Sequence, residues 1–322
     1  MASVPDMANK QPMRIAIIFP GQGSQVVGMT SELAETYPEI RDTFTEASEA
    51  LGEDLWAICQ DEEKLNQTQY TQPALLVASI AIWRVLQQKI TTKPCYLAGH
   101  SLGEYSALCA ANVISLADAV KLVHKRGQLM QEAVVGIDTA MAAVLGLEDN
   151  RVENLCEQAT EHVDDAIVGA ANFNSPGQVV ISGNAIGVNA VIDKVQNTGK
   201  KSISLKVSVP SHCALMEPAS SALAEILADI KFESAEIPVI QNRHARVETS
   251  ALGIKQALTE QLSQPVLWSK TMQELADKQV NTLIECGSGN VLSNLAKRQA
   301  QPITSYPTDK SARLEKLMEL LS

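Results

Sequence analysis

The sequence predicts an α/β fold made of a larger core with a parallel sheet and a smaller inserted subdomain. Three observations lead to this prediction. Short apolar, β-branched runs are followed by glycine-containing loops and then by helical patterns. One such unit, at residues 95–111, has the form strand, tight turn, helix. Residues 138–207 carry the order βαββαβ, which is the ferredoxin-like arrangement.

The core begins with a buried strand at 14–19, which ends in the glycine-containing loop 20–25. A capping-box sequence at 115–118 marks the start of a later helix. After the insert, the pattern of strand, glycine-containing loop and helix returns, with a strand at 282–285, the loop Gly287-Ser-Gly289 and a further helix. The other predicted core helices are 29–37, 40–51, 72–88, 115–135, 215–229 and 253–262.

The insert contains four predicted strands and two predicted helices. The turn sequence Asn174-Ser-Pro-Gly177 joins the second strand to the third. The strands are predicted at 140–147, 166–172, 178–182 and 201–207, and the helices at 149–159 and 185–196. We therefore expect a disordered leader at 1–13, an α/β core at 14–137 and 208–322, and a ferredoxin-like subdomain at 138–207.

Composition excludes several classes of protein. The 322 residues are 45% hydrophobic and 20% charged, as in ordinary globular proteins. The longest apolar stretch, 74–83, is too short to span a bilayer, and the N-terminus lacks the apolar core of a signal peptide. The net charge is −11 and no basic run is longer than Lys200-Lys201. Neither a membrane nor a nucleic acid is therefore expected as the main partner.

The six cysteines are scattered and include no CxxC pair. This pattern argues against a zinc site and against a disulfide framework. The expected compartment is the reducing cytoplasm. No metal and no cofactor are expected, and the chain is expected to be a monomer.

The most informative stretch is the pentapeptide Gly99-His-Ser-Leu-Gly103. It has the form G-x-S-x-G between a short apolar run and a helix, which is the context of a nucleophile elbow. On such a turn the serine hydroxyl is exposed beside the unpaired N–H groups and the positive dipole of a helix N-terminus. Ser101 is therefore the candidate nucleophile. The alternative is a glycine-rich turn with a capping serine.

A serine hydroxyl needs a base, and the chain has only five histidines. His100 adjoins Ser101, but neighbours on a tight turn point apart, so it is expected to pack against or orient the loop. His124 and His162 lie in helical, partly polar surroundings, and His244 lies in a polar loop. His212 follows a strand end and a proline, where catalytic loop residues are common. We expect His212 to be the base, with an ordinary histidine near a helix start as the alternative.

Acyl transfer through a serine also needs donors for the oxyanion. One is expected from the backbone N–H of Leu102, directly after the nucleophile. The second candidate is Gln22, between two glycines at the end of the first strand. A phosphate-binding turn is the alternative for that loop, but the spacing of the nucleotide motifs is absent. No carboxylate stands out as a third member, although a main-chain carbonyl could fix the histidine tautomer equally well.

Arg126 lies beside the apolar stripe of its helix, one position before Gly127. An arginine at the edge of a buried face usually has an anionic partner. Two interpretations stay open from the residues alone. One is a structural salt bridge, and the other is a bidentate clamp on a substrate carboxylate.

Taken together, these residues resemble those of malonyl-CoA:acyl carrier protein transacylases, over about residues 14–300. The resemblance is specific because six motifs occur in order. They are Phe19-Pro-Gly-Gln-Gly-Ser-Gln25, Thr71-Gln-Pro-Ala-Leu75, Gly99-His-Ser-Leu-Gly-Glu-Tyr-Ser-Ala-Leu108, Lys125-Arg-Gly127, Asn172-Phe-Asn-Ser-Pro-Gly-Gln-Val-Val180 and Ser208-Val-Pro-Ser-His-Cys-Ala-Leu-Met216.

The resemblance implies an α/β-hydrolase-like core with a ferredoxin-like insert. It implies that Ser101 attacks malonyl-CoA with His212 as base, and that the malonyl group then moves to the phosphopantetheine thiol of an acyl carrier protein. It further implies that N–H groups of Gln22 and Leu102 hold the oxyanion and that Arg126 pairs with the malonyl carboxylate. The main-chain carbonyl that orients the histidine maps to Gln261.

Two stretches depart from the family pattern, and neither is expected to touch the core chemistry. Gly287-Ser-Gly289 stands where the family commonly has Gly-Pro-Gly, and 241–246 is unusually basic. An acidic carrier protein would need a local basic rim on this acidic chain. The candidates for that rim are Lys200, Lys201, Lys206, Arg243 and Arg246.

Two other functions remain as alternatives. A serine thioesterase, including an editing hydrolase that acts on acyl carrier proteins, would use the same Ser101 and His212 with water as acceptor. A non-catalytic scaffold is disfavoured because no catalytic position is missing.

Overall fold

The computed structural model describes residues 12–321. The leader predicted at 1–13 therefore lies outside the described residues, apart from its last two. These residues form ten strands: β1 (Ile15–Phe19), β2 (Tyr96–Gly99), β3 (Thr139–Leu145), β4 (Val168–Ser175), β5 (Gln178–Asn184), β6 (Lys201–Ser204), β7 (Val239–Gln241), β8 (Arg246–Val247), β9 (Thr282–Glu285) and β10 (Thr304–Pro307).

The helices lie between and around these strands. They are α1 (Ser31–Ala34), α2 (Pro38–Leu51), α3 (Leu55–Gln60), α4 (Glu62–Leu65), α5 (Thr68–Lys89), α6 (Leu102–Ala110), α7 (Leu116–Glu132), α8 (Asp149–His162), α9 (Ala185–Asn197), α10 (Glu217–Asp229), α11 (Ala251–Gln261), α12 (Trp268–Asp277), α13 (Val291–Ala296) and α14 (Ser311–Leu321), with one 3₁₀ turn at Ala214–Met216. Within residues 12–321, no helix combines the length and apolarity that a bilayer span requires.

The larger sheet has the strand order β10-β9-β1-β2-β7-β8 and is parallel except for β8. Every residue of β1 is fully buried. Its odd-numbered residues face a cluster formed mainly by α2, α5, α6 and α7, and its even-numbered residues face a cluster with α12 and α13. Helices thus cover both faces, as burial of a parallel sheet requires.

The smaller sheet is antiparallel, with the order β4-β5-β3-β6. Its elements follow one another as β3, α8, β4, β5, α9 and β6, so the predicted ferredoxin-like order and the predicted fold class are confirmed. The domain boundaries at 138 and 207 stay a prediction. A short parallel bridge between Asn172 and Val266 ties β4 to the chain that precedes α12.

Two predicted elements have different bounds in the structure. The helix predicted at 29–37 shrinks to the four residues of α1, because Gly28 and Thr30 both adopt positive φ. The strand predicted at 201–207 ends at Ser204, and the chain from Leu205 onwards turns to line the cavity beside Ser101.

Helix α5 begins one turn before the predicted start at 72 and holds Pro73 in its interior. Proline has no N–H to donate to the carbonyl four residues earlier, which here belongs to Gln69. The ring of His124 on α7 supplies the missing donor, with Nδ1 2.8 Å from that carbonyl oxygen. The neighbouring helix therefore satisfies the carbonyl that Pro73 leaves without a partner.

Candidate active site

Ser101 lies between β2 and α6, in the predicted strand, turn and helix arrangement. Its backbone is strained, with φ 51° and ψ −107°. A Cβ on Gly103 would lie 2.0 Å from the carbonyl oxygen of Phe19, so only glycine allows α6 to approach β1 this closely. The Ser101 side chain makes no capping hydrogen bond. The capping-serine alternative therefore has no support, and the hydroxyl is available for other partners.

The structure brings His212 to Ser101. The ring Nε2 of His212 lies 2.8 Å from Ser101 Oγ. His212 is itself buried and has a positive φ of 64°, stabilised by a hydrogen bond from its N–H to the carbonyl of Leu262. Burial, together with the nearby Arg126 charge, lowers the pKa of His212 to about 3. The imidazole is therefore neutral at pH 7 and able to accept a proton.

The other ring nitrogen of His212 donates to a main-chain carbonyl. Nδ1 lies 2.6 Å from the carbonyl oxygen of Gln261, at the end of α11. No Asp or Glu within residues 12–321 hydrogen bonds to this ring. The carbonyl fixes the tautomer that presents the Nε2 lone pair to Ser101, which is the task of the carboxylate in a serine–histidine–aspartate triad.

Arg126 is 1% exposed and has only neutral hydrogen-bond partners. Nη1 donates to Gln72 Oε1 at 2.8 Å, and Nη2 donates to Gln261 Oε1 at 3.1 Å and to Ser101 Oγ at 3.3 Å. No ion pair to Arg126 occurs among the described residues. Burial lowers the pKa of Arg126, but a guanidinium titrates so far above neutrality that it keeps its charge. The salt-bridge interpretation therefore lacks a carboxylate.

The two expected oxyanion donors lie beside Ser101. Gln22 and Leu102 line the same cavity as Ser101. The Gln22 side chain donates to Thr68 Oγ1 at 3.2 Å, which holds the loop after β1 against the start of α5. Neither main-chain N–H donates to a residue within the described range. Both therefore have a free donor, as an oxyanion hole requires.

Five of the six predicted site residues, all except Gln261, line one small cavity of about 100 Å³. Leu205 and Val207, which follow β6, form part of its wall and are partly exposed to solvent. The lining residues are Gln22, His100, Ser101, Leu102, Arg126, Met141, Asn172, Leu205, Val207, Val209, Ser211 and His212. The site therefore takes residues from both sheets, and the roles of its members stay predictions.

The remaining histidines lie away from the Ser101 hydroxyl. His100 points to the smaller sheet, where Nε2 lies 2.8 Å from Asn174 Oδ1, and its ring contacts Trp268. His124 supports the helix pair α5 and α7. His162 is exposed, and His244 lies near Glu248. Within residues 12–321, no group of three or more His, Cys, Asp or Glu side chains is arranged to bind a metal ion.

Sequence reasoning missed a polar layer beneath Ser101. Asn242, at the end of β7, accepts a hydrogen bond from the Ser101 N–H at 2.6 Å. Glu104 on α6 is fully buried and accepts hydrogen bonds from the Asn242 N–H and from Gln261 Nε2, both at 2.8 Å. Burial raises the pKa of Glu104 to about 7. The signal in the sequence was a single acidic residue in the otherwise uncharged helix 102–110.

One of the two departing stretches contacts Ser101, and the other packs against the loop that carries Gln22. Asn242 belongs to the basic stretch 241–246 and holds the backbone of Ser101. Ser288 donates to the carbonyl of Ser24, and a Cβ on Gly287 would lie 2.6 Å from the ring of Pro20. Both stretches follow strands of the larger sheet, whose carboxyl ends gather at this edge.

The five basic residues suggested for a carrier-binding rim differ in solvent exposure and in ion pairing. Lys200, Lys201, Lys206 and Arg246 are exposed. Arg243 is only partly exposed, and its Nε lies 3.3 Å from Glu260. Lys206 stands between Leu205 and Val207, at the mouth of the Ser101 cavity. Of the five, Lys206 therefore lies beside cavity-lining residues and has no ion-pair partner in the described chain.

The fold and the serine–histidine pair define a class: α/β enzymes that carry acyl groups on an elbow serine. The chain belongs to the acyl transferase domain family, whose sequence model matches residues 16–309.

It is 48% identical over 304 residues to the malonyl CoA-acyl carrier protein transacylase of Salmonella typhimurium, covering 94% of this chain and 97% of that one. The Bacillus subtilis protein of the same name is 41% identical, and the match covers 96% of this chain and 97% of that one.

Solved structures agree. The crystal structure of FabD from Acinetobacter baumannii superposes with a TM-score of 0.93 at 50% identity, covering 96% of this chain and 98% of that one. A malonyl-transacylase solved in complex with a type II PKS acyl-carrier protein superposes with a TM-score of 0.92 at 44% identity, covering 95% and 99%.

Proposed function

We propose that this protein transfers the malonyl group of malonyl-CoA to the phosphopantetheine thiol of an acyl carrier protein, through an ester on Ser101. The observation that carries the proposal is the buried Arg126, whose guanidinium reaches Ser101 Oγ and has only neutral partners. A free carboxylate on the acyl group would supply the missing anion. The names of the relatives support the same donor and acceptor.

In the first half-reaction, His212 Nε2 takes the proton of Ser101 as Oγ bonds to the thioester carbonyl carbon. The N–H groups of Gln22 and Leu102 stabilise the oxyanion of the tetrahedral intermediate. When that intermediate collapses, the C–S bond breaks and His212 returns the proton to the departing CoA thiolate. The products are free CoA and a malonyl ester on Ser101.

In the second half-reaction the roles repeat with a new nucleophile. His212 takes the proton of the phosphopantetheine thiol, and the thiolate sulfur attacks the ester carbonyl. The C–O bond to Ser101 breaks, and Oγ regains the proton from His212. The Gln261 carbonyl holds the imidazole in one tautomer throughout, so the same nitrogen serves both steps.

The size of the cavity favours a short acyl group. Its volume is about 100 Å³. Arg126 at its inner wall selects a carboxylate within that space. A compact dicarboxylic acyl group meets both conditions.

We further propose that the reaction needs no cofactor, because Ser101 and His212 supply the nucleophile and the base. We propose a cytoplasmic monomer, and the six free cysteines support a reducing compartment. The acidic carrier protein docks beside Lys206, an exposed cation between two cavity-lining residues.

Intact-mass analysis tests the proposal. The protein is mixed separately with malonyl-CoA, acetyl-CoA and methylmalonyl-CoA, and a holo-acyl carrier protein is then added. We expect a stable adduct mainly from malonyl-CoA, its transfer to the carrier, and no adduct on Ser101→Ala. Rapid release of free malonate without a carrier would instead identify the thioesterase alternative.

A further inference from the structure

The strained backbone of Ser101 is held by side chains distant in sequence. The Ser101 N–H donates to Asn242 Oδ1 at 2.6 Å, and the Ser101 carbonyl accepts from Gln261 Nε2 at 3.2 Å. Asn242 Nδ2 also donates to the carbonyl of Gly99 at 2.5 Å. Two amide side chains, both fully buried, therefore clamp the elbow from each side of the nucleophile.

Glu104 joins these two clamps. One of its oxygens, Oε2, accepts from the Asn242 main-chain N–H and from Gln261 Nε2 at 2.8 Å each. Its other oxygen has no hydrogen-bond partner among the described residues. Glu104 lies three residues after Ser101 on α6, so the helix that starts at the nucleophile carries the group that holds both clamps.

Glu104 also determines which way the Gln261 amide points. Because an acceptor occupies one side, Gln261 must direct Nε2 towards Glu104 and the Ser101 carbonyl. Its oxygen then faces Arg126 Nη2, at 3.1 Å. A flipped amide would set N–H groups against a guanidinium, which has no acceptor to offer. One carboxylate oxygen therefore bonds to both clamps of the elbow and, with the Ser101 carbonyl, supports the amide orientation that presents Oε1 to Arg126.

We propose that Glu104 is a positioning residue for acyl transfer: through Asn242 and Gln261 it fixes the Ser101 elbow and the orientation of the Arg126 guanidinium. The inference rests on the proposed malonyl transfer. The role requires an acceptor oxygen at the position of Glu104 Oε2, within reach of Asn242 and Gln261. It does not require contact between Glu104 and the substrate.

Two substitutions separate the place of the oxygen from its charge. Glu104→Asp keeps the carboxylate but withdraws it by one methylene from both donors. Glu104→Gln keeps an oxygen of the right length without a full charge. Initial rates are measured with malonyl-CoA and with acetyl-CoA, and thermal unfolding is recorded for each variant.

We expect Glu104→Asp to lower kcat with malonyl-CoA by about 10- to 100-fold, because small misplacements of reacting groups cost that much. KM should stay within about threefold, and the malonyl-to-acetyl preference should fall about tenfold, because Arg126 loses its aligned acceptor. Glu104→Gln should stay within about threefold of the unsubstituted protein in all three quantities.

Glu285 offers a matched control. It is also fully buried and accepts two main-chain N–H groups, those of Leu292 and Ser293, but bonds to no residue of the site. Glu285→Asp should lower stability while leaving the acyl preference unchanged.

The inference is overturned if Glu104→Asp keeps both its kcat and its malonyl-to-acetyl preference. It is also overturned if kcat falls as far in Glu104→Gln as in Glu104→Asp. Absence of malonylation in the unsubstituted protein would instead remove the proposed function itself.

Discussion

Arg126 is a cation removed from water and surrounded by neutral groups. Gln72 and Gln261 satisfy two of its nitrogens, and its Nε has no partner within the described chain. A buried charge without a counterion is costly, and the Glu104 carboxyl, which acts on Arg126 electrostatically, has its own pKa raised to about 7 by burial. The site therefore gains stability when an external carboxylate arrives.

Replacing this cation should change which acyl group the protein prefers. A carboxylate–guanidinium pair in such a site contributes about 1.5–3 kcal/mol, or about ten- to a hundredfold in selectivity. We expect Arg126→Ala to lower kcat/KM for malonyl-CoA by that factor and to improve the relative use of acetyl-CoA. Parallel assays with the two thioesters measure the ratio.

Arg84 supplies the control, because it is a partly exposed arginine that pairs with Glu46. Arg84→Ala should leave the ratio unchanged. An unaltered preference in Arg126→Ala would remove the carboxylate clamp from the mechanism.

The pH dependence of acylation follows from His212. It accepts the Ser101 proton only when neutral, and it is neutral above its own pKa, which burial lowers to about 3. We therefore expect the rate of malonyl-ester formation to show no acidic limb near pH 6.5, the ordinary value for histidine. Single-turnover rates between pH 5 and 8 measure this.

Glu104 titrates in the same window, since its pKa is about 7. The same pH profile is therefore recorded for Glu104→Gln. A change of rate around pH 7 that is caused by Glu104 should be absent from this variant. A limb centred near 6.5 that persists in this variant would contradict the lowered pKa of His212.

The sequence predicted the residues with a local signature and missed those without one. Ser101 lies in a five-residue motif, and His212 was singled out because four other histidines had poorer surroundings. Asn242 was missed because its role exists only where β7 pairs with β2, more than 130 residues away in the chain. The buried polar layer thus depends on long-range pairing, which local pattern does not encode.

Among the elements, α5 and α7 depend on each other through Pro73 and His124. The ring donates to the Gln69 carbonyl with Nδ1, and its Nε2 lies 3.0 Å from the amide of Gln128. Because a carbonyl only accepts, Nδ1 is the donor to Gln69, and Nε2 is placed to accept from the Gln128 amide N–H. This bond holds together the two helices that carry Gln72 and Arg126.

A double-mutant cycle on stability tests that dependence. We expect His124→Ala to lower the free energy of unfolding by about 1–3 kcal/mol, because the Gln69 carbonyl is left unsatisfied. Pro73→Ala restores the helical N–H for that carbonyl, so the second substitution should reduce the loss. Urea denaturation of the four proteins gives the coupling. Strictly additive effects would mean that the histidine does not replace the proline's missing donor.

Element prediction succeeded where burial imposes a long enough pattern. Strand β9 has the predicted bounds, and β1 begins one residue after its predicted start, because both are buried along their whole length in the middle of a sheet. The strands β7, β8 and β10 were missed, and so were the helices α12 and α14. The three strands have only two to four residues and, unlike β9, are not followed by a glycine-containing loop.

At the scale of the whole molecule, an acidic protein must receive an acidic partner. The net charge of −11 repels a carrier protein at long range, so docking depends on local cations. Lys206 stands between Leu205 and Val207, which line the cavity that must receive the phosphopantetheine arm. The exposed Lys201 is the first residue of the edge strand β6, and the exposed Lys200 directly precedes it.

Reversing one of these charges should weaken only the second half-reaction. We expect Lys206→Glu to raise KM for the carrier on the order of threefold to tenfold, with less effect at high salt, and to leave ester formation from malonyl-CoA unchanged. Lys89→Glu is the matched control, because Lys89 ends α5 about 30 Å along the helix from Thr68, the contact of Gln22. Equal effects of the two substitutions, or transfer independent of salt, would exclude electrostatic docking at Lys206.

The clamps on Ser101 also have a consequence for synthesis on the ribosome. The nucleophile is made early, but Asn242 and Gln261 follow it by 141 and 160 residues. A nascent chain that ends before residue 240 holds the serine without the groups that stabilise its strained turn or complete its base. We therefore expect thioester chemistry on Ser101 only after residues 242–261 have emerged, because shorter nascent chains lack both clamps.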